Sequence, residues 1–156
     1  MRRLTVIFIL CLAFLSSCSP AKHLNIEKIG LAEFRMESST KANAVFNVTV
    51  ENTAQYPVQL VFMNATIKKD MELFATISLK DTAVVASFSK ETVKVPFEIT
   101  LCDPMSLLSM GLNVRNWNID DFMVNGKVTL AGNKGAKSSR KIKDMPLGTL
   151  VKHLEK

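Results

Sequence analysis

Between Thr92 and Leu101 the side chains alternate without a break. Val93, Val95, Phe97, Ile99 and Leu101 are apolar, and Thr92, Lys94, Pro96, Glu98 and Thr100 stand between them. Successive side chains of a strand point to opposite faces, so a period of two writes one dry face and one wet face, which a helix cannot do. The pattern recurs along the chain. Ala44, Phe46, Val48 and Val50 oppose Asn43, Asn47, Thr49 and Glu51. Leu73, Ala75, Ile77 and Leu79 oppose Glu72, Thr76, Ser78 and Lys80. Phe122, Val124, Val128 and Leu130 oppose Asp121, Asn125, Lys127 and Thr129. Leu24, Ile26, Phe34 and Met36 outline an opening strand with a break near Gly30. Residues 58–69 form another strand, whose apolar phase slips between Phe62 and Met63, the mark of a bulge.

One apolar and one polar face is the pattern of antiparallel sheets with a solvated side, and two such faces packed together make a sandwich. The expected fold is therefore all-β: an antiparallel β-sandwich of about seven strands with one short helix. Pro96 has no N–H for a ladder, which assigns its strand to an edge or to a bulge. Turn residues fall between the runs, at 52–57, Asp70-Met71, Asp81-Thr82, 87–90 and Asn133-Lys134-Gly135. The helix is expected after Asp103-Pro104, an N-cap followed by proline at the first helical position, with Met105, Leu108 and Leu112 on one face. Trp117 is expected as a packing anchor, and residues 147–154 as a terminal helical turn.

The first 18 residues follow a different logic. Arg2 and Arg3 are followed by a 12-residue apolar run, Leu4 to Leu15. That is too short to span a bilayer, which takes about 20 apolar residues, and has the length of a signal peptide core. Leu15-Ser16-Ser17-Cys18 then resembles the bacterial lipobox, in which the thiol of the cysteine takes a lipid before cleavage. Residues 1–17 are read as a lipoprotein signal peptide, 18–23 as a lipidated tether, and 24–156 as a single β-sandwich domain. Cys18 is the expected lipid-attachment residue, and a membrane, reached through that anchor, the expected partner. Ser19 is not aspartate, and residues 19–23 carry no acidic cluster, which points to the periplasmic face of the outer membrane. Cys11 leaves with the signal, so Cys102 has no internal disulfide partner and is expected as a small buried thiol at the end of an apolar register.

The whole chain carries a formal charge of +6; losing Arg2 and Arg3 leaves +4, too little and too dispersed for a nucleic-acid interface. His23 and His153 lie far apart, and there is no Cys-x-x-Cys, so neither a metal site nor a Ser-His-Asp triad is expected. Asp120 and Asp121 would point to opposite faces of a strand and instead mark a strand start. No catalytic residue and no cofactor are assigned, and the chain is read as a non-enzyme. Lys134, Lys137, Arg140, Lys141 and Lys143 form a basic hairpin. It is a candidate contact for anionic headgroups or an envelope protein partner, or else an edge strand guarded by charge. Asp81-Thr82-Ala83 resembles a short O-glycosylation motif and fits a tight turn equally well.

The order of these features resembles the late embryogenesis abundant type 2 family, the water-stress and hypersensitive-response domain, over roughly residues 24–146. Val48-Thr49-Val50-Glu51-Asn52 matches its strand before an Asn-Pro turn, with Thr53 in place of the proline. Tyr56-Pro57-Val58-Gln59-Leu60 follows, and Asp70-Met71 stands where an Asp-Gly turn is usual. Val93-Lys94-Val95-Pro96-Phe97-Glu98-Ile99, Val124-Asn125-Gly126-Lys127-Val128 and Pro146 complete the series. The resemblance implies an immunoglobulin-like or fibronectin type III-like sandwich without general enzymatic activity. Its members are associated with stress protection, and some with membranes or protein partners; together with the lipobox this gives the expectation of a membrane-anchored envelope module that binds or protects. A competing expectation is a periplasmic carrier of lipid or another hydrophobic ligand between membranes, which would need an apolar chamber of several hundred Å³ between the sheets.

Overall fold

The computed structural model describes residues 20–102 and 118–152. Cys18, the helix expected from Asp103, Trp117 and His153 lie outside the described residues. After a 3₁₀ turn at Pro20–His23 come eight strands: β1 (Leu24–Met36), β2 (Lys41–Asn52), β3 (Val58–Lys69), β4 (Glu72–Leu79), β5 (Ala83–Val85), β6 (Ser89–Leu101), β7 (Phe122–Ala131) and β8 (Lys137–Pro146). A 3₁₀ turn at Ile119–Asp121 introduces β7, as the paired aspartates suggested. A short helix, α1 (Leu147–Lys152), follows β8.

Every ladder is antiparallel, in the order β1-β2-β6-β4-β3-β7-β8, with β5 added to β3. β4 pairs with both β6 and β3, so one continuous sheet folds over on itself into an open sandwich. The inner residues of β2 and β6 share a single cluster with those of β3, β7 and Ile142 of β8. Phe97, Leu130, Val58, Val124 and Val128 are its most buried large side chains, and Phe46 meets Phe97 edge to face at 5.9 Å.

The alternation finds its faces. Along β2 each even-numbered residue from Ala42 to Asn52 is buried, and each odd one after Lys41 is half-buried. The phase slip in β3 is a bulge between Leu60 and Phe62 in the pairing with β7; it turns Phe62 outward and keeps Met63 inside. Three expectations are corrected. β1 does not break at Gly30; it runs through, with register shifts between Ile26 and Lys28 and between Leu31 and Glu33. β6 is no edge strand, because it lies between β2 and β4. The carbonyl of Pro96 accepts from Lys80 N–H at 2.9 Å, on the side where β4 has just ended at Leu79, so the missing N–H of Pro96 falls beyond that ladder. Cys102 is exposed, not buried: the inner register of β6 is odd-numbered, and the strand ends at Leu101. β5 is one strand more than expected, since three residues are too few to show a period.

Candidate functional site

One end of the sandwich gathers the start of the domain, the β2–β3 turn (53–57), the β5–β6 turn (86–88) and the β7–β8 turn (132–136). Its organiser is Asn52, the last residue of β2, which is only 1% exposed. Strand alternation sends this amide inward, where an unpaired polar group would be costly. Its Nδ2 donates to Tyr56 O and Ala86 O, both at 3.0 Å, and more weakly to Val85 O at 3.4 Å; its Oδ1 accepts from Ala54 N–H at 3.0 Å. One side chain thus ties the β2–β3 turn to the β5–β6 turn. The sequence placed Asn52 only as a turn residue; its inward parity on β2 was the available signal.

Thr53 uses what a proline lacks. Its N–H donates to His23 O at 2.9 Å and fastens the first 3₁₀ turn to the sheet. The His23 ring meets Tyr56 edge to face at 6.2 Å. Pro20 is buried and lies close to Gly132, where an added Cβ would come within 3.0 Å of both Pro20 and Tyr56. The part of the expected tether that is described, 20–23, is therefore packed on the domain.

Phe88 stands at the tip of the β5–β6 turn. It is 70% exposed, and its φ of 47° is in the left-handed region that a bulky side chain disfavours. Neighbouring bonds hold it there: Phe88 N–H donates to Ala54 O at 3.0 Å, Ser89 Oγ to Ala86 O at 2.7 Å, and Ala86 N–H to Glu91 Oε1 at 2.7 Å. An open cleft of about 460 Å³ lies between His23, Tyr56, Phe88 and Asn133. Lys22 and Lys134 are exposed at the same end.

Lys134 sits in the β7–β8 turn, and the other four cations of the basic hairpin are strung along β8, an edge of the sheet. Arg140 is half-buried opposite Val128. Lys141 is exposed opposite Lys127, a like-charged pair; Lys127 Nζ lies 5.8 Å from the centre of the Phe62 ring on the outer face. Thr82 is exposed in the turn before β5.

Between the sheets, the cavity beside Leu24, Val58, Val95 and Leu130 measures about 40 Å³, room for a water-sized probe and not for an acyl chain. Among the described residues no three side chains of His, Cys, Asp or Glu converge as a metal site, and no helix is long and apolar enough to cross a membrane.

No family model matches the chain. No curated protein matches it either. Among solved structures, a protein from Archaeoglobus fulgidus is similar at 12% identity and a TM-score of 0.50, covering 78% of this chain and 98% of its own. The putative ApaA protein of Bordetella pertussis matches at 14% identity and a TM-score of 0.38, with 78% and 89% covered. The GAE domain of GGA2p from Saccharomyces cerevisiae matches at 14% and 0.35, with 83% and 93% covered. At these identities the likeness concerns the β-sandwich fold alone.

Proposed function

We propose that the chain is a bacterial lipoprotein, cut before Cys18, lipidated there, and held at the periplasmic face of the outer membrane. Its sandwich acts as a non-enzymatic binding or protective module of the late embryogenesis abundant type 2 kind. The observation that carries this reading is the run from Arg2 to Cys18: a basic start, a 12-residue apolar core and a lipobox, followed within two residues by the packed Pro20. A signal, a cleavage site and the edge of a folded domain thus follow one another without a long linker. The cavity of about 40 Å³ supports a binding surface over an internal carrier chamber. A module that binds through its exterior needs a packed core and exposed turns, and the turn that carries Phe88 supplies such a surface.

The anchor is tested on protein purified from native membranes. Intact mass is expected to show a chain beginning at Cys18 and carrying acyl groups. Cys18→Ser is expected to abolish incorporation of radiolabelled fatty acid and to move the protein out of the membrane fraction. Acyl label retained by Cys18→Ser would sink the reading.

A further inference from the structure

We infer that the end of the sandwich from which the chain emerges is a membrane-seating surface: Phe88 enters the interfacial region of the bilayer that holds the Cys18 lipid, with Lys22 and Lys134 beside it at the headgroups. The inference rests on the lipoprotein reading and adds which face of the domain meets the bilayer.

The chain length decides the reach. Two peptide steps separate Cys18 from Pro20, and an extended chain advances about 3.5 Å per residue, so Pro20 stays within about 7 Å of the lipidated residue. Pro20 is not a hinge in a loose linker. It is buried, it lies against Gly132, and the turn it begins is bonded through His23 O to Thr53 N–H. The anchor therefore brings the domain to the bilayer by a fixed end. The β2–β3, β5–β6 and β7–β8 turns share that end with Pro20.

Phe88 gives the contact its chemistry. A large apolar ring is held 70% exposed, on a backbone conformation that glycine would take more easily, by bonds from its own N–H and its neighbours. An exposed aromatic ring that shares a cleft with His23 and Asn133, the sequence neighbours of the exposed Lys22 and Lys134, matches the interface of a bilayer, where apolar surface and anionic headgroups lie a few ångströms apart. Met71 is the internal contrast. It is also apolar and exposed, but it lies beyond the far end of β3, whose 12 residues at about 3.3 Å each hold it about 40 Å away.

The test uses the full lipidated protein, reconstituted in vesicles of phosphatidylethanolamine and phosphatidylglycerol. Cys102, the exposed free thiol, is replaced by serine; a single cysteine is introduced as Phe88→Cys or as Met71→Cys and labelled with nitrobenzoxadiazole. Intact mass first establishes whether Cys18 is acylated. The expected result is a blue shift at position 88, with loss of emission to lipids spin-labelled near the headgroup, and neither change at position 71. Water-like emission at both positions on acylated protein overturns the seating and leaves the lipoprotein reading in place. Equal quenching at both positions overturns it as well, because the bilayer then does not select this end. An unacylated Cys18 overturns both.

Discussion

The two ends of the sandwich are written in the same alternating code and finished differently. At the end that holds Pro20, Val58 and Leu130 are fully packed, and Asn52 bonds the turns above them. At the far end, Phe34 and Met36 pair in register with the buried Ala44 and Ala42, yet are 53% and 49% exposed. Both sets share the inner face. Alternation therefore tells which way a side chain points, and only its neighbours tell whether anything meets it. β1 is an edge strand, and beyond its second register shift it has a partner on one side only.

The largest expected effect compares two inner-face truncations. Leu130→Ala at the Pro20 end is expected to cost about 2–5 kcal/mol of unfolding free energy, the range for a fully buried leucine. Phe34→Ala is expected to cost about 1 kcal/mol, because half its surface already meets water. Chemical denaturation of the two variants measures both; equal losses would break the comparison.

Next is the clamp. Asn52→Ala strips partners from the half-buried carbonyls of Tyr56 and Ala86 and from the buried one of Val85, and is expected to cost about 1–3 kcal/mol. Asn52→Asp keeps the acceptor for Ala54 N–H but removes the donor, and is expected to lose stability as well. Amide exchange at Phe88 N–H, which Ala54 O accepts, should rise in both variants, while exchange at Cys102 N–H, bonded to Phe74 O at the far end, should not.

A smaller effect has opposite sign. Phe88 and Met71 sit at the two ends with φ of 47° and 70°, so glycine at either position is expected to stabilise by about 1 kcal/mol. Thermal melts would show the gain. Phe88→Gly alone should also weaken the contact between domain and bilayer, which separates what the ring does for the fold from what it does for the surface.

The smallest effect concerns the surface ion pair between Lys90 and Glu27, at 2.6 Å. The hydrogen bond and charge of Glu27 raise the lysine pKa above its ordinary value. A raised pKa means the folded state holds the proton more tightly. Any contribution is thus complete at neutral pH and fades as pH climbs through the lysine range. On so exposed a pair, Lys90→Met should leave the melting temperature at pH 7 almost unchanged in moderate salt.

How much could be read beforehand follows from how far each cause reaches along the chain. Runs such as 93–101 and 44–50 gave strand and face together, because period two is a property of neighbours in sequence. The bulge in β3 was visible as a phase slip for the same reason. β5 was invisible, since Ala83–Val85 become a strand only by pairing with Val58–Leu60. Cys102 faces outward because the parity of β6, carried one residue past Leu101, turns it from the inner face. The basic hairpin was legible as charge, but its division between a turn and an edge strand was not.

By itself the sequence determined that this chain makes antiparallel strands with one dry face each. The tertiary structure alone decided that Asn52 is a clamp, because the carbonyls of Val85 and Ala86 lie more than 30 residues away along the chain. It also decided that Thr53 fastens the turn at Pro20–His23 to the sheet and that Phe88 is held outward at the same end. A periodic pattern is set by adjacent residues; a clamp, a filled core and an exposed tip are set by which distant strands arrive beside them.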